Sequence, residues 1–230
     1  MTKKNLNIFL VKFKNEINFY EIPLFRGAVL NLIGEDVELL FHNHTSETTF
    51  RYAYPLIQYK RMHKKAAILC VGNGVESIGQ FLSAQSFDIN LGQRSMTLEI
   101  EQILPKSYLV QTWDTTFHYR LSNWIPLNSK NYQEYVATDS LADRISILEH
   151  ILIGNLLSFC KGVGIEIEHE IVCQLTSLNA PRIIKVKGTK VMSFDCEFKS
   201  NLSLPDHIGL GKHVSLGCGM VVNIHNSQVS

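Results

Sequence analysis

Apolar residues along the first half of the chain recur with two spacings, one typical of strands and one of helices. Leu24, Ala28 and Leu32 keep the spacing of a short helix that Gly34 ends, and a second helical pattern follows Gly72. Runs rich in β-branched and aromatic residues predict the strands. The predicted order is a strand at 6–13, a helix at 23–35, strands at 52–59 and 66–71, a helix at 75–82 and a strand at 94–104.

The second half repeats part of this pattern. A strand is predicted near 116–126, followed by a long helix at 140–160. The helix begins at Ser140, whose spacing to Asp143 resembles a capping box, and Gly162 is its predicted C-terminal cap. The apolar pattern shows no second helix in this half. Three strand-like runs follow at 165–174, 182–187 and 190–199, with a last apolar run at 220–224.

This order of elements predicts the fold class. Strand, helix, strand, strand, helix, strand is the order of the ferredoxin-like fold, which RNA-recognition modules also use. We therefore expect an α+β protein of two tandem ferredoxin-like (RRM-like) halves with antiparallel sheets, the second half degenerate. The N-terminal domain is predicted at 1–108 and the C-terminal domain at 116–230, with the join at 105–115.

Composition narrows the class of protein. Hydrophobic residues make up 45% and charged residues 19% of the 230 residues, which excludes a disordered chain and a coiled coil. With 22 Lys and Arg against 21 Asp and Glu, the net charge is only +1, so a local patch must hold any anionic partner. The N-terminal segment lacks the features of a signal peptide, and no stretch approaches about 18 apolar residues. We therefore expect a cytoplasmic protein without membrane contact.

The densest signal is the glycine-rich segment HIGLGKHVSLGCG. It holds four of the 14 glycines of the chain, namely Gly209, Gly211, Gly217 and Gly219. Glycine lets backbone N–H groups approach a phosphate closely, and Lys212 and His213 add charge, so the composition suits a phosphate cradle. The segment is neither a Walker loop, which ends in GK[ST], nor a dinucleotide fingerprint. The alternative is a tight hairpin that needs glycine at its turns.

A second group of glycines follows the predicted strand at 66–71. Gly72, Gly74 and Gly79 precede a helix, as in nucleotide-binding folds, but the fingerprint requires a glycine where Ser77 stands. Dinucleotide binding is therefore disfavoured. A small molecule bound by this turn stays open as an alternative function.

Histidines, aromatic residues and basic residues interleave in the stretch FHNHTSETTFRYAYPLIQYKRMHKK. Such interleaving suits single-stranded RNA, because bases stack on aromatic side chains while cations hold phosphates. A solvated loop is the alternative for the basic run at 60–65. His42 and His44 have no acids or cysteines arranged beside them as ligands, and the five cysteines contain no CxxC pair. We therefore favour acid–base chemistry, with no metal and no cofactor.

The sequence resembles the Cas6 family, the CRISPR-associated endoribonucleases that cut precursor repeat RNA. The resemblance rests on two segments taken together, FRGAV followed by FHNH and YPLIQYKR near the front, and LPDHIGLGKHVSLGCG near the end. The terminal glycine motif is the more specific of the two. The intervening strands follow an order compatible with the paired ferredoxin-like halves of that family.

The resemblance implies a metal-independent cut of the repeat RNA. The ribose 2′-hydroxyl would attack the adjacent phosphorus, leaving a 2′,3′-cyclic phosphate and a 5′-hydroxyl. This reaction needs a base, an acid and stabilisation of the charge on the phosphate. The family places its catalytic histidine just after the first helix, which here matches His42 or His44. We favour His42, because it closes the apolar stretch VELLF.

Further residues take roles by their chemistry and by the same resemblance. Tyr52 or Tyr54 would orient the 2′-hydroxyl or support the histidine, and Lys60 would neutralise the phosphate. The expected RNA-binding residues are Arg51, Arg61, Lys64, Lys65, Gly209, Gly211, Lys212, His213, Gly217 and Gly219.

The expected partner is CRISPR repeat RNA, with other CRISPR effector subunits and a second copy of the chain as further possibilities. The alternative function is an RNA-binding subunit of a CRISPR ribonucleoprotein that has no chemistry of its own. Such a subunit would bind repeat RNA with an affinity that falls as salt rises, and it would yield no cleaved product.

Overall fold

The computed structural model describes residues 5–33 and 54–224. The chain divides into two compact units. The first unit comprises Met1–Tyr108 together with Ser215–Gly217, and the second comprises Leu109–Val214 together with Cys218–Ser230.

The first unit has the strand and helix order expected from the sequence. Its main sheet has four strands in the order β2-β3-β1-β6, and α1 and α2 provide the two connecting helices. The predicted strand at 94–104 is wrong, because it merges β5 and β6, which belong to different sheets. Strand β5 pairs with β4 in a separate hairpin, and β6 completes the main sheet. The elements are β1 (Asn5–Glu16), α1 (Ile22–Ile33), β2 (Ile57–Met62), β3 (Lys65–Val71), α2 (Gly74–Leu82), β4 (Asp88–Leu91), β5 (Arg94–Thr97) and β6 (Ile100–Leu109).

An aromatic cluster forms the centre of the first unit. The ring of Phe13 on β1 meets Phe25 of α1 and Phe81 of α2 edge to face, each at a centroid distance of 5.9 Å. Phe25 meets Tyr59 of β2 in the same way at 5.8 Å. All four side chains are fully buried. Each such ring pair contributes about 0.5–1.5 kcal/mol beyond the burial of area, so the cluster fixes both helices against the sheet.

The second unit repeats the same strand order with one helix missing. Its sheet has the order β11-β7-β10-β8, which is the ferredoxin-like order again. Residues 203–219, all described, connect β10 to β11 with only a 3-10 turn at Val214–Leu216 where the second helix would stand. This confirms the prediction of two antiparallel ferredoxin-like halves, the second degenerate. The elements are β7 (Thr112–Trp124), α3 (Ser129–Ala137), α4 (Leu141–Gly162), β8 (Cys173–Leu178), β9 (Arg182–Val186), β10 (Thr189–Leu202) and β11 (Met220–Asn223).

The long helix α4 supplies the main helical face of this core. The Ser140 side chain caps it by accepting a hydrogen bond from the Asp143 N–H at 3.3 Å. The left-handed glycine that follows the helix is Gly164, with φ of +69°, rather than the predicted Gly162. By length and composition α4 would be able to cross a membrane. Its apolar stripe, however, packs into the second unit through the buried residues Leu148, Leu152, Leu156, Phe159 and Cys160.

Strand β10 is 14 residues long and pairs with different strands along its length. Residues 189–193 pair with β9 alone, and residues 194–202 pair with β7 and β8. The β9–β10 arm turns at Lys187 and Gly188, both with positive φ, and Lys185 lies directly opposite Lys190. The predicted strand at 165–174 is mostly wrong, because β8 begins only at Cys173.

The connection from β10 to β11 is held at its start by a tyrosine. The buried Tyr119 hydroxyl donates to the Leu202 carbonyl at 3.0 Å and accepts from the Leu204 N–H at 2.9 Å. Burial raises the pKa of this phenol, so it keeps its proton. One side chain on β7 therefore satisfies two backbone groups where the chain leaves β10.

Backbone hydrogen bonds of Gly219 hold the end of the same connection. The Leu210 N–H donates to the Gly219 carbonyl at 2.8 Å, and the Gly219 N–H donates to the Asn123 carbonyl at 2.9 Å. Gly219 has a φ of +66°, and a Cβ there would overlap the Leu210 carbonyl oxygen. At Gly211, with φ of +90°, a Cβ would lie 2.8 Å from Trp124 Cδ1. Neither position accepts a side chain without movement of its neighbours.

We predict that Gly219→Ala lowers the free energy of unfolding by about 2 kcal/mol or more, because left-handed backbone and backbone overlap both oppose a Cβ. Gly154→Ala is the matched control. Gly154 lies exposed on α4 with nothing within 4 Å of a Cβ, so alanine there adds about 0.5–1 kcal/mol of stability. Urea denaturation of both variants measures the difference. Equal stability of Gly219→Ala and the unchanged chain would contradict this account.

Candidate functional site

The glycine-rich segment 207–219 presents two basic side chains, Lys212 and His213. Lys212 is exposed, and its N–H donates to the Ile125 carbonyl at 3.0 Å, which fixes the backbone from which the side chain extends. Partial desolvation lowers the pKa of the Lys212 ammonium. His213 is half-buried and has left-handed backbone, with φ of +56°.

The surroundings of His213 are cationic. Burial lowers the pKa of its imidazole most, and the charges of Lys187 and Lys212 lower it further. The ring is therefore neutral near pH 7, and an anion placed among the three groups would favour its protonation. Lys187 comes from the turn of the β9–β10 arm. Lys187 was not predicted from the sequence, although a glycine between two strand-like runs, here Gly188, indicates such a turn.

The four glycines of the segment have structural roles. The N–H groups of Leu210 and Gly219 already donate to protein carbonyls. Gly217, which belongs to the first unit, leaves room for Ile22 and for the backbone of Tyr59, because a Cβ there would lie 2.9 Å from Ile22 Cδ1. A Cβ at Gly209 would overlap the Val214 side chain. Close packing thus explains the glycines, and contact with RNA at Gly209, Gly211, Gly217 and Gly219 stays a prediction.

The basic run at 60–65 lies on the β2–β3 hairpin and is not a loop. Lys60 is fully buried on β2, whereas Lys64 is exposed at the turn. Arg61 Nε donates to the Ile17 carbonyl at 2.7 Å, and Lys65 Nζ lies 2.6 Å from Glu101 Oε1. The run therefore divides into buried, anchored and exposed members, which the sequence pattern did not distinguish.

Tyr54 is the one candidate of the stretch 42–54 that the structure describes. Its side chain is buried, and its hydroxyl accepts a hydrogen bond from Gln58 Nε2 at 2.8 Å. The other candidates of this stretch, His42, His44, Arg51 and Tyr52, lie outside the described residues.

Other kinds of site find little support among residues 5–33 and 54–224. No group of three or more His, Cys, Asp or Glu side chains is arranged there to hold a metal ion. Burial raises the pKa of the Cys160, Cys173 and Cys196 thiols to about 12, which suppresses thiolate chemistry at these three. A Cβ at Gly74 would lie 2.7 Å from the Leu56 carbonyl oxygen, so that turn packs against its own unit.

Both halves of the chain match models of known protein domains. The model of the Cas6b N-terminal domain matches residues 4–108, and the model of the Cas6b C-terminal domain matches residues 111–224. An uncharacterized protein of Methanocaldococcus jannaschii is 36% identical over 104 residues, which cover 45% of this chain and 69% of that protein.

Solved structures show the same likeness. A crystal structure of Cas6b has a TM-score of 0.86 and 26% identity, covering 96% of this chain and all of the other. A second, described as the CRISPR RNA processing endoribonuclease Cas6b, has a TM-score of 0.73 and 25% identity over the same shares. A type IV Cas6 crRNA endonuclease shares the fold, with a TM-score of 0.56 and 12% identity. Since the two domain models match residues 4–108 and 111–224, this chain belongs to the Cas6b family of Cas6 proteins.

Proposed function

We propose that this protein is a metal-independent endoribonuclease that cuts CRISPR precursor repeat RNA and so releases guide RNAs. The observation that carries the proposal is the match to Cas6b over both halves, since one relative with 25% identity over 96% of this chain is described as a CRISPR RNA processing endoribonuclease. The basic groups Lys212 and His213 on a rigid backbone are consistent with an RNA substrate.

The proposed reaction is attack of a ribose 2′-hydroxyl on the adjacent phosphorus. The 2′-oxygen forms a bond to phosphorus, the bond to the 5′-oxygen breaks, and the products carry a 2′,3′-cyclic phosphate and a 5′-hydroxyl. The 2′-hydroxyl loses a proton and the leaving 5′-oxygen gains one. His42 or His44 carries out one of these two transfers, because imidazole titrates near neutral pH, and solvent water exchanges the other proton. Tyr52 or Tyr54 orients the reacting groups, and Lys60, which is fully buried, contributes positive charge without contact with the phosphate.

The rest of the proposed site holds the RNA backbone. Lys212 presents a cation from the glycine-rich segment, Lys187 presents another from the β9–β10 arm, and a phosphate bound between them favours protonation of His213. Arg51, Arg61, Lys64 and Lys65 supply further contacts along the first unit. Phosphate contacts of this kind position RNA without reading its sequence. We propose a cytoplasmic location, with other effector subunits or a second copy of the chain as further partners.

We predict that His42→Ala lowers the cleavage rate by about 10²- to 10⁴-fold while repeat RNA still binds, because loss of a proton-transfer group slows the chemical step alone. The assay uses labelled repeat RNA in excess EDTA, beside a copy with one 2′-deoxy ribose at the cut site. His150→Ala is the control, because His150 lies exposed on α4 with Nδ1 3.0 Å from the Ser146 carbonyl.

Three results would contradict parts of this proposal. Cutting by His42→Ala and by His44→Ala at the unchanged rate would exclude histidine chemistry at these positions. Cutting of the 2′-deoxy copy would exclude attack by the 2′-hydroxyl. RNA that binds and is never cut would favour the non-catalytic RNA-binding subunit.

We predict that Lys212→Ala weakens binding of repeat RNA to a similar extent for different RNA sequences. It also reduces the slope of log affinity against log salt by about 1, since one phosphate contact is lost. Filter binding at several salt concentrations measures both quantities. Lys130→Ala, which removes an exposed charge from α3 of the same unit, leaves the slope unchanged. An unaltered slope for Lys212→Ala would remove this residue from the proposed interface.

A further inference from the structure

Strand β1 carries a bulge that opens the sheet of the first unit. Lys12 pairs with Ala67 of β3, and the next recorded pair is Glu16 with Lys65, so β1 advances four residues while β3 advances two. The bulge is held in place by the last residue of β5 and by Glu99, which lies between β5 and β6. Asn15 Nδ2 donates to the Thr97 carbonyl at 2.9 Å, and Asn15 Oδ1 accepts from the Glu99 N–H at 2.8 Å. It is therefore a fixed feature of the sheet.

A cavity of about 300 Å³ lies beside this bulge. Its volume is at the lower end of the range for small-molecule sites, which suits one nucleotide unit. The lining residues come from β1, the β2–β3 hairpin and β6, and they are Lys12, Met62, His63, Lys65, Ala66, Glu101 and Gln102.

The lining supplies three kinds of contact. Met62 keeps 6% of its surface exposed and supplies the apolar contact, whereas Ala66 is fully buried. Among the residues that the structure describes, no carboxylate lies within ion-pair distance of Lys12, although its charge helps to lower the pKa of Glu101. The Lys65 ammonium donates a hydrogen bond to Glu101 Oε1 at 2.6 Å, and this bond is the largest cause of the lowered pKa of Glu101. The carboxylate is thus ionised and accepts hydrogen bonds, and the Gln102 amide beside it both donates and accepts.

The turn at the mouth of the cavity has a backbone conformation that is unfavourable for residues other than glycine. His63 and Lys64 have φ of +48° and +70°, the left-handed region that glycine or asparagine usually occupies in a two-residue hairpin. Each such non-glycine residue costs about 1–2 kcal/mol. A glycine or asparagine would form this turn at lower free energy, but it would not present two basic side chains. The His63 imidazole lines the cavity.

From this juxtaposition we infer that the cavity beside the β1 bulge is a nucleotide subsite, which takes one unpaired base of the RNA together with its phosphate. The inference rests on the proposed RNA substrate. Lys12 and His63 hold the phosphate, the base lies on Met62, and Glu101 accepts from an exocyclic amino group. Adenine, cytosine and guanine carry such a group and uracil does not, so the subsite disfavours uracil.

The test titrates each of the four ribonucleoside 5′-monophosphates into the intact protein and follows backbone amide signals by NMR. The expected shifts concentrate at residues 62–66 and 101–102, with 5′-CMP, 5′-AMP and 5′-GMP binding about tenfold more tightly than 5′-UMP. Lys12→Ala weakens all four ligands. Glu101→Gln removes the preference against 5′-UMP, because an amide both donates and accepts.

Lys14→Ala is the matched control, because Lys14 lies on the same strand, pairs with Glu99 in an exposed ion pair and does not line the cavity. It should leave all four affinities unchanged. The subsite is overturned if no ligand shifts these signals at millimolar concentration, if the shifts fall only at 209–219, or if Glu101→Gln keeps the preference. Nucleotide binding here together with uncut repeat RNA would reject the proposed cleavage and keep the subsite.

Discussion

The contact between the backbones of Leu210 and Gly219 is the constraint on which the second half of this fold depends. Because Gly219 has no Cβ, its carbonyl receives the Leu210 N–H while its own N–H reaches Asn123. The next residue, Met220, opens β11 opposite Ser122 of β7. One close approach thus closes the connection from β10 and sets the register in which the last strand joins the sheet.

The connection from β10 to β11 also buries apolar side chains, as the missing second helix of this half would. Four of its apolar side chains are almost fully buried, namely Leu204, Ile208, Leu210 and Val214. Burial of each such side chain contributes about 1.5–3 kcal/mol as an upper estimate. A short irregular segment therefore replaces a helical face. Of its basic residues, Lys212 is exposed and His213 is half-buried.

Much of the architecture could be predicted because apolar periodicity reports which faces are buried. The βαββαβ order and α4 follow from that signal. It failed where burial was weak or local geometry decided the outcome. Helix α3 is mostly polar and went unpredicted, as did the short strand β4, and the break at 98–99 that separates β5 from β6 was missed.

The candidate site was predictable by residue type but not by environment. The glycine-rich segment stood out by composition, yet the close packing that requires its glycines involves residues distant in sequence, such as Trp124. Lysine is rarely buried, so nothing in the pattern indicated that Lys60 would lie inside the first unit. The proximity of Lys187 to His213 depends on tertiary structure in the same way.

Strand β10 belongs to the arm over its first five paired residues and to the sheet over the rest. Since the backbone of β9 pairs only with the arm portion, residue pairs can be added or removed at the tip of the arm without shifting any partner of β7 or β8. The arm is thus a segment in which related chains can diverge in length and charge while the core stays the same. Variation in this family is expected to concentrate there before it reaches the sheet.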